Sequence, residues 1–375
     1  MFENYIENIN LQKKRNLHRK FVSSNAVDET KINYNSQSVI SFACNDYVGL
    51  SQSKILKKTA ISAIEKYGVG GRASRYISGN NQLYFKLENL IAKFYQMPKA
   101  VVFSSGYMTA IGVVKALVNK NDIVIADKLI HGCFIDGIAI SQAKFCRFHH
   151  NSIEHCREIL QENRNSHQNC LIIIESVYSM DGDVADFENF IKLAKEFRAI
   201  LIIDNAHGLH HKFPSSPNLL VMGTLSKTIG AFGGYIAGNK ILIENIVQFS
   251  RSLIYTTSLP PMILASAIRS FQFLQKTKIL ENAKKNAEFF CEILGIKKPD
   301  SQIVVIIIGK NKKLLKIQKE ILKNGFLVSA IRSPTVRVGS ERLRISFSAK
   351  HTKKQIEKFA KIVQKILQDF KIDIS

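Results

Sequence analysis

Two polar segments follow apolar stretches in a pattern that could assemble reactive groups at one place. The stretch Leu201–Ile203 is followed by Asp204 and, three residues later, by His207. The next apolar stretch leads to Thr224, with Lys227 three positions further on. Each residue alone has an ordinary explanation, since a strand-end Asp often caps a helix and a lone His or Lys is often structural or exposed. Their order is more informative than any one of them.

This set of groups matches the needs of pyridoxal phosphate. The cofactor requires an amine to form a Schiff base, an anion for its pyridinium nitrogen and donors for its phosphate. Lys227 supplies the amine and Asp204 the anion. The segment from Ser104 to Tyr107 follows another apolar stretch and begins a predicted helix, whose N-terminal N–H groups could hold an anion. The sequence therefore predicts a pyridoxal-phosphate site.

Short apolar stretches that alternate with helical ones must position these groups. Strands are predicted at Ala100–Phe103, Ile123–Ala126, Cys170–Ile174, Ile200–Ile203 and Leu219–Met222. Segments between them, such as Asp186–Phe197, repeat their apolar residues at helical spacing. This alternation predicts an α/β fold with a mainly parallel sheet covered by helices on both faces. Ligands gather at the carboxyl ends of such strands, where the polar groups lie.

The later part of the chain predicts a second, smaller α+β unit. Strands are expected at Ile303–Ile308 and Leu343–Phe347, with helices at Lys312–Asn324 and from Thr352. We predict three segments: an N-terminal arm that forms part of the small domain (1–45), a large cofactor-binding domain (46–255) and a C-terminal small domain (256–375).

Composition narrows the class of protein. The chain has 375 residues, 46% of them hydrophobic, and a formal net charge of +23. Its six cysteines form no CxxC pairs, so we expect reduced thiols and neither a disulfide framework nor a metal site. We expect no signal peptide, no membrane span and a cytoplasmic location. The lysines are spread out and no nucleic-acid motif accompanies them, so no nucleic-acid partner is expected.

Several motifs carry a resemblance to a known family. The segments ESVYSMDGD, IDNAHG and TLSKTIGAFGG resemble those of the α-oxoamine synthases, which are fold-type I pyridoxal-phosphate enzymes. CNDYVGLS, SRYISGN, FSSGY, DKLIHGCFIDG, YTTSLPP and IRSPTV…RLRIS match the same family in the same order, between about residues 40 and 350. The resemblance implies an aminotransferase-like fold with a seven-stranded-type sheet.

The resemblance also assigns roles in cofactor binding. Lys227 would carry pyridoxal phosphate and later move the substrate's Cα proton. Asp204 would pair with the ring nitrogen, and His207 would donate to the phenolic oxygen. His131 would stack on the ring. The remaining cofactor contacts would come from Ser179, from Thr224 with the N–H groups of Gly106 and Tyr107, and from Thr256 and Thr257, which would reach the partner subunit's phosphate.

On the substrate side, Arg344 would grip the amino-acid carboxylate with help from Asn45. Thr335 and Arg19 would face the acyl group. The implied reaction is the decarboxylative condensation of a small amino acid, L-alanine by the best match, with an acyl thioester of coenzyme A or a carrier protein. The implied assembly is a homodimer with shared sites. Glycine-using relatives, 2-amino-3-ketobutyrate CoA ligase and 5-aminolevulinate synthase, remain an alternative, because one methyl group is worth only about 1–3 kcal/mol. A basic nucleic-acid-binding protein on an inactive scaffold is the alternative from another class.

Four features depart from the family pattern. Arg72 and Ala73 interrupt a glycine-rich segment, Asn205 stands where a second Asp is frequent, and Arg337 replaces a proline. Residues 208–218 form a shorter stretch than usual, which we interpret as a trimmed surface hairpin. The first and last of these substitutions could change the acyl preference.

Overall fold

The computed structural model of the protein describes residues 1–373. It divides into two compact units. The large unit comprises Leu50–Ser179 and Asp183–Leu280, and the small unit comprises Met1–Gly49, Met180–Gly182 and the described residues from Glu281 onward. The three-part division predicted from the sequence, with boundaries after residues 45 and 255, stays a prediction, because compactness does not establish an independently folding domain.

The elements are numbered in chain order. The helices are α1 (Glu3–Lys14), α2 (Lys54–Tyr67), α3 (Gln82–Tyr95), α4 (Gly106–Leu117), α5 (Gly132–Ser141), α6 (Ile153–Asn163), α7 (Phe187–Glu196), α8 (Lys240–Phe249), α9 (Arg251–Ile254), α10 (Pro261–Leu274), α11 (Ile279–Leu294), α12 (Asn311–Lys323) and α13 (Lys353–Asp369). The strands are β1 (Ser24–Ala26), β2 (Lys31–Tyr34), β3 (Gln37–Ser41), β4 (Lys99–Phe103), β5 (Ile123–Asp127), β6 (Lys144–Phe148), β7 (Cys170–Glu175), β8 (Ile200–Asp204), β9 (Leu219–Thr224), β10 (Gly234–Gly238), β11 (Ile303–Ile307), β12 (Phe326–Leu327), β13 (Ser329–Ile331) and β14 (Arg342–Ser346).

A seven-stranded sheet forms the centre of the large unit, in the order β4-β10-β9-β8-β7-β5-β6. Neighbours from β9 to β6 pair in parallel, whereas β10 pairs antiparallel with both β4 and β9. The predicted α/β fold with a mainly parallel sheet is confirmed. Every residue of β5 and β7 is buried, which explains why their sequences are apolar runs and not alternating patterns. The carboxyl ends of β5, β7, β8 and β9 meet at one edge of this sheet.

Helices pack against this sheet through a large apolar core. Its buried members include Val113 and Phe134 from α4 and α5, and Ile173 and Ile202 from the central strands. Side chains cap several of the helices. At the start of α4, for example, Ser105 accepts the N–H of Met108 at 3.2 Å, and at the start of α7 Asp186 accepts the N–H of Asn189 at 3.2 Å. Such caps satisfy N–H groups that have no partner within the helix.

The small unit has two sheets and an aromatic core. Its sheets have the orders β11-β14-β13 and β1-β2-β3-β12. The ring of Phe42 stacks on Phe359 at 4.1 Å between centroids, and the ring of Phe290 also stacks on Phe359, at 5.3 Å. This core fixes β14, the strand that carries Arg344.

Several details differ from the expectations: among the strands of the central sheet, β6 and β10 were not predicted. Strand β10 was not predicted, because five residues that begin and end with glycine form no apolar run. Residues 208–218 contain no strand in the structure, so the prediction of a trimmed hairpin there is wrong. Their two prolines, Pro214 and Pro217, lack the backbone donors that a hairpin ladder would use. No helix within residues 1–373 is long and apolar enough to cross a bilayer.

Candidate active site

Three strands of the large unit end side by side in polar residues. Asp204 ends β8, and its register partners are Glu175 at the end of β7 and Met222 on β9. Asp204 is only 6% exposed, and its Oδ1 accepts the N–H of Ala206 at 2.9 Å. This bond turns the chain directly after the strand and leads to His207. A buried carboxylate therefore stands at the centre of the sheet edge.

Lys227 and His207 are in contact. The Nζ of Lys227 lies 2.6 Å from Nε2 of His207, which is itself only 6% exposed. The two residues follow adjacent strands, β9 and β8, so the parallel pairing of the sheet brings them together. The structure thus brings the predicted amine of Lys227 and the predicted imidazole of His207 within contact distance.

His131 caps the start of α5 and follows the carboxyl end of β5, at the same edge of the sheet. Its Nδ1 accepts the N–H of Cys133 at 3.3 Å, so the side chain serves as the helix cap. Burial lowers the pKa of His131, the Asp204 carboxylate opposes this effect, and the Lys227 amine adds to it. The imidazole is therefore neutral at pH 7, in agreement with a cap that accepts through Nδ1. A neutral, flat ring suits the stacking role predicted for this residue.

Glu175 is a buried carboxyl group next to Asp204 to which the sequence analysis gave no role. It is 2% exposed; Oε2 accepts the N–H of Ser179 at 3.1 Å, whereas Oε1 has no hydrogen-bond partner among residues 1–373. Burial and the nearby Asp204 charge raise the pKa of Glu175 well above its ordinary value. The signal that could have found it is the one used for Asp204, an acidic residue directly after an apolar stretch. The direction of this shift favours the protonated form of the Glu175 carboxyl group.

Replacing Glu175 by glutamine is expected to stabilise the protein increasingly as the pH rises. Because the pKa of Glu175 is higher in the folded than in the unfolded protein, folding takes up a proton above about pH 4.3. The free energy of unfolding of the wild type therefore falls between that pH and the folded-state pKa, by up to about 1.4 kcal/mol per pH unit. Glutamine keeps the shape and does not titrate. Urea unfolding of Glu175→Gln, the wild type and the exposed control Glu188→Gln between about pH 5 and about pH 9 measures the difference. A difference that is constant with pH would contradict a protonated Glu175.

The start of α4 lies against Thr224. A Cβ added to Gly106 would lie 3.4 Å from the Cβ of Thr224, and one added to Gly234 would lie 2.6 Å from the Gly106 nitrogen. Gly234 therefore lets β10 pass close to the helix start. The first N–H groups of α4, including those of Gly106 and Tyr107, have no partner within the helix and can hold an anion. Thr224 places its hydroxyl beside them, donating to the Gly233 carbonyl at 2.9 Å.

A buried chain of neutral hydrogen bonds runs behind Asp204. The Oγ of Ser176 donates to Oδ1 of Asn205 at 2.6 Å, and Nδ2 of Asn205 donates to the Tyr95 hydroxyl at 3.0 Å. That hydroxyl lies 2.8 Å from the hydroxyl of Tyr235. Burial raises the pKa of Tyr95 to about 12, so this phenol stays protonated. The departure at Asn205 is therefore accommodated by a neutral network that adds no second charge beside Asp204.

Two other predicted positions belong to exposed parts of the large unit. Thr257 is exposed, and the Thr256 hydroxyl donates to the Thr257 carbonyl at 3.4 Å. Their reach toward a partner subunit stays a prediction. Arg72, in the glycine-rich segment, has a positive φ of 68°, a conformation that side chains disfavour. The carbonyl of its neighbour Gly71 accepts the Ser258 hydroxyl at 2.8 Å.

In the small unit, Arg344 is surrounded by polar groups although it is only 4% exposed. Its guanidinium donates to Oδ1 of Asn45 at 3.3 Å, to the Ser346 hydroxyl at 2.8 Å and to the Tyr47 hydroxyl at 3.3 Å. The predicted pairing of Arg344 with Asn45 is thus present as a contact. Tyr47 and Ser346 were missed, although Tyr47 lies in the quoted CNDYVGLS motif.

A cavity of about 720 Å³ also lies in the small unit. Its walls include Arg15, Arg19 and Arg337 together with apolar side chains such as Leu17 and Val336. Arg19 therefore lies where an anionic ligand with an apolar chain could bind. Thr335 is exposed and sits in the segment that forms one wall, its N–H bonded to the Arg332 carbonyl at 3.0 Å.

Comparison with known proteins decides the family. The sequence profile described as aminotransferase class I and II matches residues 37–363. The chain belongs to the aminotransferase class I and II family. It is 38% identical over 327 residues to the 8-amino-7-oxononanoate synthase of Methylorubrum extorquens, covering 86% of this chain and 85% of the relative. The resemblance to the α-oxoamine synthases is confirmed.

Solved structures of this family agree with the fold. The 8-amino-7-oxononanoate synthase of Francisella tularensis has a TM-score of 0.76 and 28% identity, covering 89% of this chain and 99% of that one. A high-resolution structure of SPT, a serine palmitoyltransferase, with PLP has a TM-score of 0.88 and 26% identity, covering 99% and 98%. The chain is therefore a pyridoxal-phosphate enzyme of the acyltransferase type.

The residues of the large unit fit this cofactor. The unit offers an amine at Lys227, a buried carboxylate at Asp204 and a helix N-terminus beside Thr224, which are the three kinds of group that the cofactor's aldehyde, ring nitrogen and phosphate require. A neutral imidazole at His131 lies at the same edge of the sheet, after β5.

Proposed function

We propose that this enzyme condenses L-alanine with a pimeloyl thioester, releasing carbon dioxide and the thiol, and so forms 8-amino-7-oxononanoate for biotin biosynthesis. The observation that carries the proposal is the contact between Lys227 Nζ and His207 Nε2, at 2.6 Å. His207 closely follows Asp204, the last residue of β8. The relatives named as 8-amino-7-oxononanoate synthases at 38% and 35% identity support the choice of substrate.

Each site residue of the large unit has a distinct role in the proposed reaction. The cofactor supplies an electron sink for the charge that develops at the substrate's Cα. Asp204 would pair with the ring nitrogen and keep it protonated, and His131 would pack on the ring. Lys227 takes the Cα proton and returns it at the end of the reaction. His207 lies 2.6 Å from that amine and orients it, and it would donate to the phenolic oxygen of the cofactor.

The small unit holds the substrate groups. A guanidinium is the natural partner of a carboxylate, because its fork of donors matches the two oxygens. Arg344, held by Asn45, Tyr47 and Ser346, is therefore assigned to the amino-acid carboxylate. Arg19 and Thr335 are assigned to the acyl donor. The arginines and apolar walls of the nearby cavity suit a donor with a long chain and anionic groups.

We also propose that two copies form the working enzyme. Large apolar side chains are exposed on the large unit at Val69, Ile77, Phe85 and Tyr255, with exposed fractions of 67%, 82%, 58% and 72%. The Ala73 carbonyl accepts the N–H of Ser258 at 3.0 Å, so the segments that carry Val69 and Tyr255 adjoin, and apolar groups gathered in one patch mark protein interfaces. Thr256 and Thr257 directly follow Tyr255, so a partner that covers this surface would meet them.

Product identification tests the proposal. The purified holoenzyme is offered L-alanine, glycine and L-serine at equal concentrations, with either pimeloyl-CoA or a pimeloyl carrier protein, and the products are identified by mass spectrometry. Serine is included because the fold is shared with SPT. We expect the alanine product to dominate. A dominant glycine product would move the enzyme to the glycine-using relatives, and a dominant serine product would move it to the serine-using ones.

A further inference from the structure

A second group of titratable side chains lies in the large unit, away from Lys227. His150 places Nδ1 at 3.1 Å from Oδ1 of Asp127 and Nε2 at 2.8 Å from Oδ2 of Asp183. Both ring nitrogens face a carboxylate, which only accepts hydrogen bonds when ionised. The geometry therefore requires an imidazolium, with one positive charge between two negative ones.

The surroundings of His150 hold this arrangement in place. Asp127 is fully buried at the end of β5, and its Oδ2 also accepts the N–H of Asn151 at 2.8 Å. The Nδ2 of Asn151 donates to Oδ2 of Asp183 at 2.7 Å. The ring of Tyr178 meets the His150 ring edge-on at 4.4 Å. The titratable groups that face His150 are thus two carboxylates and one phenol.

Each of the two aspartates anchors a segment that leads to the candidate active site, Asp127 through its carboxylate and Asp183 through its backbone carbonyl. Asp127 accepts the N–H of Leu129 at 2.8 Å, and this turn leads directly to His131. The carbonyl of Asp183 accepts the N–H of Tyr178 at 3.0 Å, which holds the chain next to Ser179. One imidazole therefore connects the segment that carries His131 with the segment that carries Ser179.

We propose that His150 is a positioning residue, whose imidazolium ties these two segments together and thereby sets the places of His131 and Ser179. Hydrogen bonds between charged groups are stronger than neutral ones, so the tie is rigid while the ring is charged. Burial opposes the charge, but the bonds to Asp127 and Asp183 outweigh it and raise the pKa of His150 to about 10. The stabilisation is complete below the ordinary value of about 6.5 and is lost as the pH rises through the raised value.

The charge on the ring can be measured directly. In the holoenzyme labelled with ¹⁵N-histidine, NMR titration is expected to show one imidazole that stays doubly protonated beyond about pH 9. That signal should be missing in His150→Gln and present in the control His149→Gln, which changes the exposed neighbouring histidine. Asp183→Asn should keep the signal and lower its titration midpoint. A His150 signal that titrates near its ordinary value would overturn the proposal.

The positioning role has its own measurements. His150→Gln is expected to lower kcat on the order of 10²-fold through misplaced groups, with the amino-acid KM changed by less than about threefold. The difference in unfolding free energy between wild type and His150→Gln should shrink as the pH rises from about 6.5 to about 10, whereas a packing defect alone would give a difference that does not depend on pH. An unchanged kcat would overturn the positioning role. The prediction for kcat rests on the proposed function, whereas the NMR and unfolding results do not. A failure of the proposed function can therefore be distinguished from a failure of the role of His150.

Discussion

Replacing Lys227 by alanine is expected to lower turnover by about 10⁴-fold or more. The variant loses both the group that holds the cofactor covalently and the base that moves the substrate's Cα proton, and general-base catalysis alone contributes about 10²–10⁴-fold. The visible absorption of the bound cofactor should also change in this variant, because the covalent link is lost. Steady-state rates and absorption spectra of the purified variant measure both effects.

The control for this prediction is Lys240→Ala, which removes an exposed lysine at the start of α8 and should leave turnover unchanged. A small primary amine added to Lys227→Ala is expected to restore part of the lost rate, because it supplies the missing base without repairing the fold. Turnover of the variant within about tenfold of the wild type would exclude Lys227 as the cofactor-bearing base.

Asp204→Asn is expected to lower kcat by about 10²–10³-fold, an effect typical of removing one preorganised electrostatic partner. Asparagine has the same shape and can still accept the N–H of Ala206, so the turn after β8 should remain. What is lost is the negative charge that keeps the ring nitrogen protonated. Cofactor affinity should fall as well, because a charged partner is replaced by a neutral one.

Steady-state kinetics and a fluorescence titration of the cofactor measure these two losses, with circular dichroism to check the fold. Asp300→Asn, which changes an exposed aspartate of the small unit, serves as the control. A kcat within about tenfold of the wild type in Asp204→Asn would show that another carboxylate pairs with the ring. Glu175 is the nearest candidate, because its register partner is Asp204.

The sequence predicts the sheet because its strands are buried on both faces. A strand such as β7, Cys170–Glu175, has no exposed face that would require polar residues, so it appears as an apolar run that ends where the site begins. The same reasoning identified Asp204, His207 and Lys227 as residues after neighbouring strands. These features are local in the sequence, and the structure brings His207 and Lys227 into contact.

Features that depend on strand order could not be predicted in this way. Strand β10 is defined by its pairing with β4 and β9, and its five residues carry no periodicity of their own. The cluster at His150 requires residues 23 and 33 positions away along the chain, which meet only because of the way the sheet edge is assembled. The contact between Arg344 and Asn45 spans 299 positions, and only the resemblance to a family suggested it.

Trapping the bond between protein and cofactor tests the central claim most directly. The holoenzyme is reduced with borohydride, which makes the attachment of the cofactor permanent, and then digested and mapped by mass spectrometry. The account predicts that the cofactor mass lies on the peptide that contains Lys227, and on no other lysine. Attachment at another lysine, or a reduced protein that carries no cofactor mass, would contradict it.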